Sequence, residues 1–171
     1  MTTDTVAPQL VTRNLVLTEA KVKWLWEQCS RFRTLFSDLT KGDYDNFIAL
    51  LLQPATIWFE VGHEDSAFPL GLVWLTGIDQ IVDADCHMMF FDKHAEADDK
   101  VEACRGLIRW AFENLPIQRL TAPIPELYRG TRRIAERMGF THEGTKRRAL
   151  LMDGRWIDVR IYGITRPEVM Q

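Results

Sequence analysis

The sequence lacks the features that mark membrane, metal-binding or disulfide-rich proteins. A membrane-spanning helix needs about 20 apolar residues, and the longest clear apolar stretch here is Phe47–Leu52. There are only three cysteines, Cys29, Cys86 and Cys104, and none lies in a C-x-x-C motif or at metal-ligand spacing from a histidine. We therefore expect three small core residues in a reducing compartment, and no metal site.

The sequence also lacks a basic excess. Its 21 Lys and Arg residues are outnumbered by 24 Asp and Glu residues, whereas generic nucleic-acid binding usually needs strong positive charge. Residues Met1–Leu10 have neither the basic flank nor the apolar segment of a signal peptide. The composition, 46% hydrophobic and 26% charged, is close to the average of soluble proteins. We expect one cytoplasmic domain over residues 1–171, with no nucleic-acid or membrane partner.

Hydrophobic periodicity predicts the element order β, α, α, β, β, β, α, β, α, β, β. The predicted strands are Asn14–Thr18, Thr56–Val61, Leu70–Leu75, Ala84–Phe91, Arg119–Ala122, Lys146–Leu151 and Trp156–Ile161. The predicted helices are Glu19–Cys29, Asp43–Leu52, Val101–Asn114 and one between Pro125 and a capping Gly139, while Asp153-Gly154 marks a hairpin turn. Hairpins mixed with helical crossovers indicate an α/β (α+β) fold, with a mixed, mostly antiparallel sheet of about six or seven strands and about four flanking helices.

The last third of the chain resembles the GCN5-related N-acetyltransferases (GNAT). The fragments that carry the resemblance are Glu102-Ala103, Trp110–Phe112, Arg133–Gly144, and Asp153-Gly154 with Asp158 and Tyr162-Gly163. Within that family the chain is most similar to the ribosomal-protein alanine acetyltransferase type, and the resemblance is strong from about Ala84 to Glu168. It implies a GNAT fold that uses acetyl-CoA.

The resemblance also implies where acetyl-CoA would bind. In the family its pantetheine arm follows the end of the fourth strand, here Met89, Phe90 and Phe91. Its pyrophosphate rests on backbone N–H groups at the start of the third helix, and the matching positions here are Lys93, Asp98, Asp99 and Lys100. Arg132, with Arg129 and Arg133, lies on the last helix, which packs near the cofactor in relatives; the alternative is a solvated arginine face.

The phosphate loop departs from the family pattern. Relatives carry small residues where this chain has Glu96 and Asp98, and carboxylates there would repel a diphosphate by about 1 to 4 kcal/mol per close pair. Acidic residues in a first helical turn also have an ordinary explanation, because they cap the helix and suit its dipole. The loop therefore predicts weakened binding of acetyl-CoA.

Four residues are candidates for proton transfer. Asp85 and His87 alternate on the fourth strand and so share one face, and His87 has a suitable unperturbed pKa. The alternative for His87 is a hydrogen-bonded strand residue. The family resemblance implies a role for Tyr128 and Thr131, which stand at the family's Asn-x-x-Ser positions, although they could also simply pack. The tyrosine that many relatives use is replaced by Ala135.

Two functions follow from these residues. The first is N-acetyl transfer from acetyl-CoA to a primary amine, which could be a protein N-terminus, a lysine or a small molecule. The alternative is a GNAT-fold protein that has lost CoA binding and serves as a binding or structural component. The acceptor is not identified by the sequence, and a homodimer is left open.

Overall fold

Seven strands and five helices form the part of the chain that the computed structural model describes, residues 10–32, 38, 42–64, 66–78, 82–91 and 97–170. In chain order they are β1 (Leu10–Asn14), α1 (Glu19–Cys29), α2 (Tyr44–Leu51), β2 (Thr56–His63), β3 (Gly71–Thr76), β4 (Asp83–Phe90), α3 (Ala97–Asn114), β5 (Arg119–Pro125), α4 (Arg129–Arg137), β6 (Thr141–Met152), β7 (Arg155–Thr165) and α5 (Arg166–Val169). The predicted fold class and element order are confirmed, and α5 is an addition to them.

The first strand lies earlier in the chain than predicted. Leu10–Asn14 pairs antiparallel with β2, so the predicted strand Asn14–Thr18 is wrong beyond its first residue. The Thr18 hydroxyl instead accepts a hydrogen bond of 3.2 Å from the backbone N–H of Lys21. A threonine in this role caps the start of a helix, and it therefore cannot continue the strand.

The C-terminal hairpin is confirmed and is longer than predicted. Asp153 (φ 48°) and Gly154 (φ 71°) are both left-handed, which is the geometry of the tight turn that Asp-Gly favours. Gly139 (φ 100°) follows α4 as the predicted glycine cap. The strands β6 and β7 extend past the predicted ends because their pairing continues through two register shifts. Each shift adds unpaired residues to one strand without ending the ladder.

The sheet has the strand order β1-β2-β3-β4-β5-β7-β6, and every adjacent pair except β4–β5 is antiparallel. The parallel pair is joined by α3, as parallel strands need a crossover connection. Its register covers only Asp83–Asp85 against Arg119–Thr121, although β4 continues to Phe90 and β5 to Pro125. More than half of β4 is therefore paired with β3 but not with β5. Prolines at 123 and 125 have no N–H to donate, which disfavours further pairing there.

Two hydrophobic cores cover the two faces of the sheet. The larger lies beneath α3 and α4 and includes Leu107, Phe112, Ala135 and Phe140. The smaller lies beneath α1 and α2 and includes Leu25, Phe47 and Leu72. Because successive side chains of a strand point to opposite faces, β4 contributes Cys86, Met88 and Phe90 to the first core and Met89 to the second.

Arg166, at the start of α5, donates hydrogen bonds to carbonyl groups at the C-terminal end of α3 and just beyond it. Its Nη2 donates hydrogen bonds to the carbonyls of Leu115 (2.8 Å) and Ile117 (2.7 Å), and its Nε donates to Ile117 at 3.1 Å. Its Nη1 donates to the carbonyl of Phe112, over whose ring the guanidinium lies at 5.6 Å. The last carbonyls of a helix have no partner within the helix. Arg166 supplies partners from the far end of the chain.

We expect Arg166→Ala to lower the free energy of unfolding by about 3 kcal/mol. The variant loses hydrogen bonds from a charged donor, and the carbonyls that accepted them are left without this partner. Urea denaturation followed by circular dichroism measures this change. The control is Arg155→Ala at the exposed start of β7, which should change stability by less than about 0.5 kcal/mol. Equal midpoints for the two variants would contradict the proposed role of Arg166.

Candidate active site

The separation of β4 from β5 opens a cavity of about 530 Å³. Strand β4 contributes residues 86–90 to its wall, and β5 contributes residues 122–125. Helices α3 and α4 and the β6–β7 hairpin complete it, with Lys100, Cys104, Leu107, Ile108, Gly130, Thr131, Ile134, Leu150 and Met152 among the lining residues, together with Tyr128 just before α4. Since strand pairing stops where the wall begins, the same feature of the sheet creates the cavity and sets its position.

The cavity reaches both faces of the sheet. Met88 and Phe90 line it from the core beneath α3 and α4. Trp74 and Met89 line it and belong to the core beneath α1 and α2. Two molecules entering from opposite faces could therefore meet within the gap between the strands.

His87 lines the cavity and is held by its neighbours on β3. Its ring stacks on Trp74 with centroids 5.1 Å apart, and its Nε2 lies 3.2 Å from the hydroxyl of Thr76. Burial lowers the pKa of His87 from 6.5 to about 4. The imidazole is therefore uncharged at neutral pH. His87 is hydrogen-bonded on its strand, as the predicted alternative required, and it also lines the cavity, while its catalytic role stays a prediction.

Asp85 shares the face of His87 but does not line the cavity. Burial raises its pKa, the neighbouring Asp83 raises it further, and Lys146 opposes the shift. Next to it, Asp83 accepts hydrogen bonds from the Thr121 hydroxyl at 3.0 and 2.9 Å. Arg119 pairs with Glu143 at 2.6 Å. Asp85 thus lies at the closed end of the β4–β5 gap, where the strands still pair.

Two of the predicted residues lie at the start of α4. Tyr128 occupies the capping position of that helix without a side-chain capping bond, and Thr131 lies in its first turn. Both line the cavity. The gap therefore brings His87, Tyr128 and Thr131 together around one space, although they come from distant parts of the chain.

The start of α3 carries the predicted acidic residues. Asp98 and Asp99 are exposed in its first turn, and the Asp98 carboxylate forms an ion pair with Arg137 of α4. This pair offsets part of the repulsion predicted for a bound diphosphate. Lys100 lines the cavity with its ammonium group 5.5 Å from the centroid of the Phe90 ring. Lys93 and Glu96 lie outside the described residues.

The remaining predicted residues divide between the cavity and its surroundings. Met89 and Phe90 line it, whereas Phe91 packs edge-on against Trp24 at 5.5 Å, in the core beneath α1 and α2. Arg132 is half-buried on α4 and does not contribute to the cavity wall. Of the cofactor-binding residues that the resemblance predicted, Met89, Phe90 and Lys100 thus line the cavity, and their binding of acetyl-CoA stays a prediction.

Several lining residues were not predicted as part of a site. Trp74 lies on β3, Pro123 lies on β5, and Leu150 and Met152 both lie on β6. Trp74 and Leu150 fit ordinary apolar strand patterns, and Pro123 and Met152 directly follow predicted strands, so the sequence carried no local signal that they would face a cavity. Cys86 and Cys104 were predicted as core residues, and both line the cavity as free thiols.

Within the described part of the chain, no group of three or more His, Cys, Asp or Glu side chains is placed to hold a metal ion. None of the described helices is long and apolar enough to cross a membrane.

Known proteins share this sequence pattern and architecture. Residues 13–141 match the protein-family model described as acetyltransferase (GNAT) domain. Over 80 residues the chain is 31% identical to "Probable N-acetyltransferase YjcK" of Bacillus subtilis (strain 168), a stretch that covers 46% of this chain and only 44% of YjcK. Similarity of this chain to the ribosomal-protein alanine acetyltransferase type in particular stays a prediction.

Two similar solved structures concern a spermidine N-acetyltransferase. A chimera of the Vibrio cholerae enzyme SpeG and hSSAT has a TM-score of 0.80 at 17% identity and covers 95% of this chain and 99% of its own. The Vibrio cholerae enzyme in complex with CoA and spermine has a TM-score of 0.78, also at 17% identity, with 95% and 99% coverage. At such identities the likeness shows a shared fold.

The lowered pKa of His87 predicts a specific loss of stability in acid. The folded-state pKa of about 4 lies below the ordinary 6.5, so the unfolded chain binds the proton first as the pH falls. Stability is then present above pH 6.5 and is lost between pH 6.5 and 4, by about 2 kcal/mol from pH 7 to 4.5. His87→Gln should remove this part of the pH dependence, measured by urea denaturation at both pH values. The exposed His142→Gln is the control, and an unchanged dependence in His87→Gln would contradict the burial of His87.

Burial also predicts unreactive thiols. It raises the pKa of Cys29 and Cys104 to about 12 and raises that of Cys86 further. Because the thiolate is the nucleophile, we expect reaction with DTNB at pH 8 to be at least about 100-fold slower in the folded chain than in urea. Cys29→Ser restricts the measurement to the two cavity thiols. Rapid reaction of this variant without unfolding would show that the cavity is more open than described.

Proposed function

We propose that this chain, which belongs to the GNAT acetyltransferase family, transfers an acetyl group from acetyl-CoA to a primary amine. The observation that carries the proposal is the gap between β4 and β5, which forms a cavity reaching both faces of the sheet. Acetyl transfer needs a donor and an acceptor to approach each other within one enclosed space. The gap provides such a space.

The side of the gap beneath α3 and α4 fits the donor. Residues 86–90 of β4 pair with β3 on one edge, while no strand among the described residues pairs with the other edge. The N–H and C=O groups on that edge need partners, and the amide groups of a pantetheine arm would supply them. When bound, acetyl-CoA supplies an activated thioester. The backbone of Met89 and the ring of Phe90 would contact its arm and Lys100 its phosphates, with Lys93, Asp98, Asp99 and Arg132 predicted nearby.

Three side chains at the cavity could move protons. The uncharged imidazole of His87 can accept a proton from an incoming ammonium group, although its lowered pKa makes it a weak base. Tyr128 and Thr131 carry hydroxyl groups on the opposite wall, where they could donate a proton to the leaving thiolate. Asp85 does not line the cavity, and its predicted role in proton transfer stays a prediction.

The alternative function is a GNAT-fold binding protein without CoA affinity. The observation that favours it is the pair of exposed carboxylates, Asp98 and Asp99, in the first turn of α3. They add negative charge where a helix start would otherwise attract phosphate. The ion pair between Asp98 and Arg137 reduces this effect, and for that reason we favour the enzyme. The homodimer and the cytoplasmic location stay predictions.

Acetyl-CoA should stabilise the folded chain. At about 100 times its dissociation constant, a ligand that binds only the folded state adds about 2.7 kcal/mol to the free energy of unfolding. Thermal denaturation with and without millimolar acetyl-CoA measures the change. Absence of any shift would favour the alternative function.

Two glycines provide a matched pair of variants for this experiment. Gly130 in α4 lines the cavity, whereas Gly106 in α3 is exposed away from it, and a Cβ added at either meets nothing within 4 Å. We expect Gly130→Phe to fill the entrance and abolish the shift, and Gly106→Phe to retain it. A shift that survives in Gly130→Phe would place the cofactor elsewhere.

A further inference from the structure

Three aromatic rings form a ladder across the sheet and end at the cavity. Trp58, Trp74 and His87 are directly opposite one another on β2, β3 and β4. Their centroids are 4.6 and 5.1 Å apart, with interplanar angles of 22° and 18°. These spacings match the distance of about 4.8 Å between neighbouring strands. The ladder therefore follows the sheet, one ring per strand.

The next position of the ladder lies within the gap. The β4–β5 register, in which Asp85 is opposite Thr121, would place Pro123 opposite His87 if it continued. It does not continue, and His87 and Pro123 both line the cavity. His87 stacks on Trp74 on its β3 side, and β4 is no longer paired with β5 at this position, so the cavity lies on the β5 side of His87.

The remaining wall on this side is apolar. Phe32 follows α1, Met89 is two residues after His87, and the hairpin adds Leu150 and Met152. No acidic side chain lines the cavity among the residues that the structure describes. Two acidic residues lie near His87 on the same face of β4. Asp83 contacts Thr121 and Arg119, and Asp85 does not line the cavity.

We propose that the acetyl acceptor is an amine next to an aromatic ring, and that this ring binds by stacking on His87, between His87 and Pro123, as the fourth member of the ladder. The chemistry is that of an arylalkylamine or of a polypeptide that begins with an aromatic residue. This inference rests on the proposed function, because it names the acceptor of that reaction.

Two physical arguments support an acceptor with an aromatic ring next to its amine over a polyamine. Stacked aromatic pairs prefer ring separations of about 4.5 to 7 Å, and the two pairs already in the ladder have this spacing, at 4.6 and 5.1 Å. A polyamine would carry further ammonium groups into an apolar wall that has no carboxylate, and burying an unpaired charge is costly. The uncharged state of His87 removes the repulsion that an imidazolium would exert on the amine.

Binding can be measured apart from catalysis, by isothermal titration calorimetry of the chain saturated with CoA. The ligands are 2-phenylethylamine, its non-aromatic counterpart 2-cyclohexylethylamine, spermidine, and a tetrapeptide beginning with Phe. We expect phenylethylamine to bind about 100-fold more tightly than spermidine, and cyclohexylethylamine to bind about fivefold more weakly than phenylethylamine. The peptide distinguishes the two sources: tighter binding than phenylethylamine would indicate a polypeptide acceptor.

Two variants separate stacking from proton transfer at His87. His87→Phe keeps a ring in the ladder and should change the dissociation constant of phenylethylamine by less than about threefold, whereas His87→Ala should raise it about tenfold. Trp156→Ala, a half-exposed position on β7 outside the cavity, is the control. Equal losses in the Phe and Ala variants, no binding of phenylethylamine, or tighter binding of spermidine would each overturn the proposal.

Failure of this proposal is distinguishable from failure of the proposed function. If acetyl-CoA stabilises the chain but neither 2-phenylethylamine nor the peptide beginning with Phe binds, only the proposed acceptor class is wrong. If acetyl-CoA produces no thermal shift, the acetyltransferase function itself fails.

Discussion

The early end of pairing between β4 and β5 is the constraint on which the site depends. Three residue pairs hold the two strands together, and beyond Asp85 the strands are separate. A sheet normally leaves no space between neighbouring strands, which lie about 4.8 Å apart. Here the separation exposes one backbone edge of β4 and places side chains from both hydrophobic cores around one cavity. The cavity and its access from both faces follow from this single feature.

Polar contacts hold one face of the closed end of the gap, and the buried Ala84 and Leu120 pack on its other face. Asp83, Thr121, Arg119 and Glu143 form a connected group of hydrogen bonds and ion pairs where β4 and β5 still pair. Most of the open end is apolar, Lys100 is the charged side chain in its wall, and the imidazole of His87 is uncharged at neutral pH. The acidic side chains of the described residues thus lie outside the cavity wall, while the space between the strands is left for ligands.

Much of the fold could be predicted, because it depends on local patterns. Helix α1 was predicted at the bounds that the structure has, and the Asp153-Gly154 turn and the Gly139 cap were confirmed by their positive φ angles. The first strand was misplaced because the apolar pattern of residues 14–18 does not reveal that Thr18 caps a helix. The role of Arg166 was missed, since its four acceptor contacts come from residues about fifty positions earlier in the chain.

The sequence by itself determined the order of the elements, because turn residues, caps and periodicity act over a few residues, and its resemblance to known fragments indicated the family that the family model shows. Through resemblance it also predicted a site at β4 and at the starts of α3 and α4, and residues of these elements line the cavity. Only the tertiary structure decided which side chains face the cavity, that His87 is uncharged there, and that Asp98 pairs with Arg137. These properties depend on burial and on neighbours far away in the chain. The sequence therefore predicts the fold, whereas the candidate site depends on the separation of β4 from β5 in the tertiary structure.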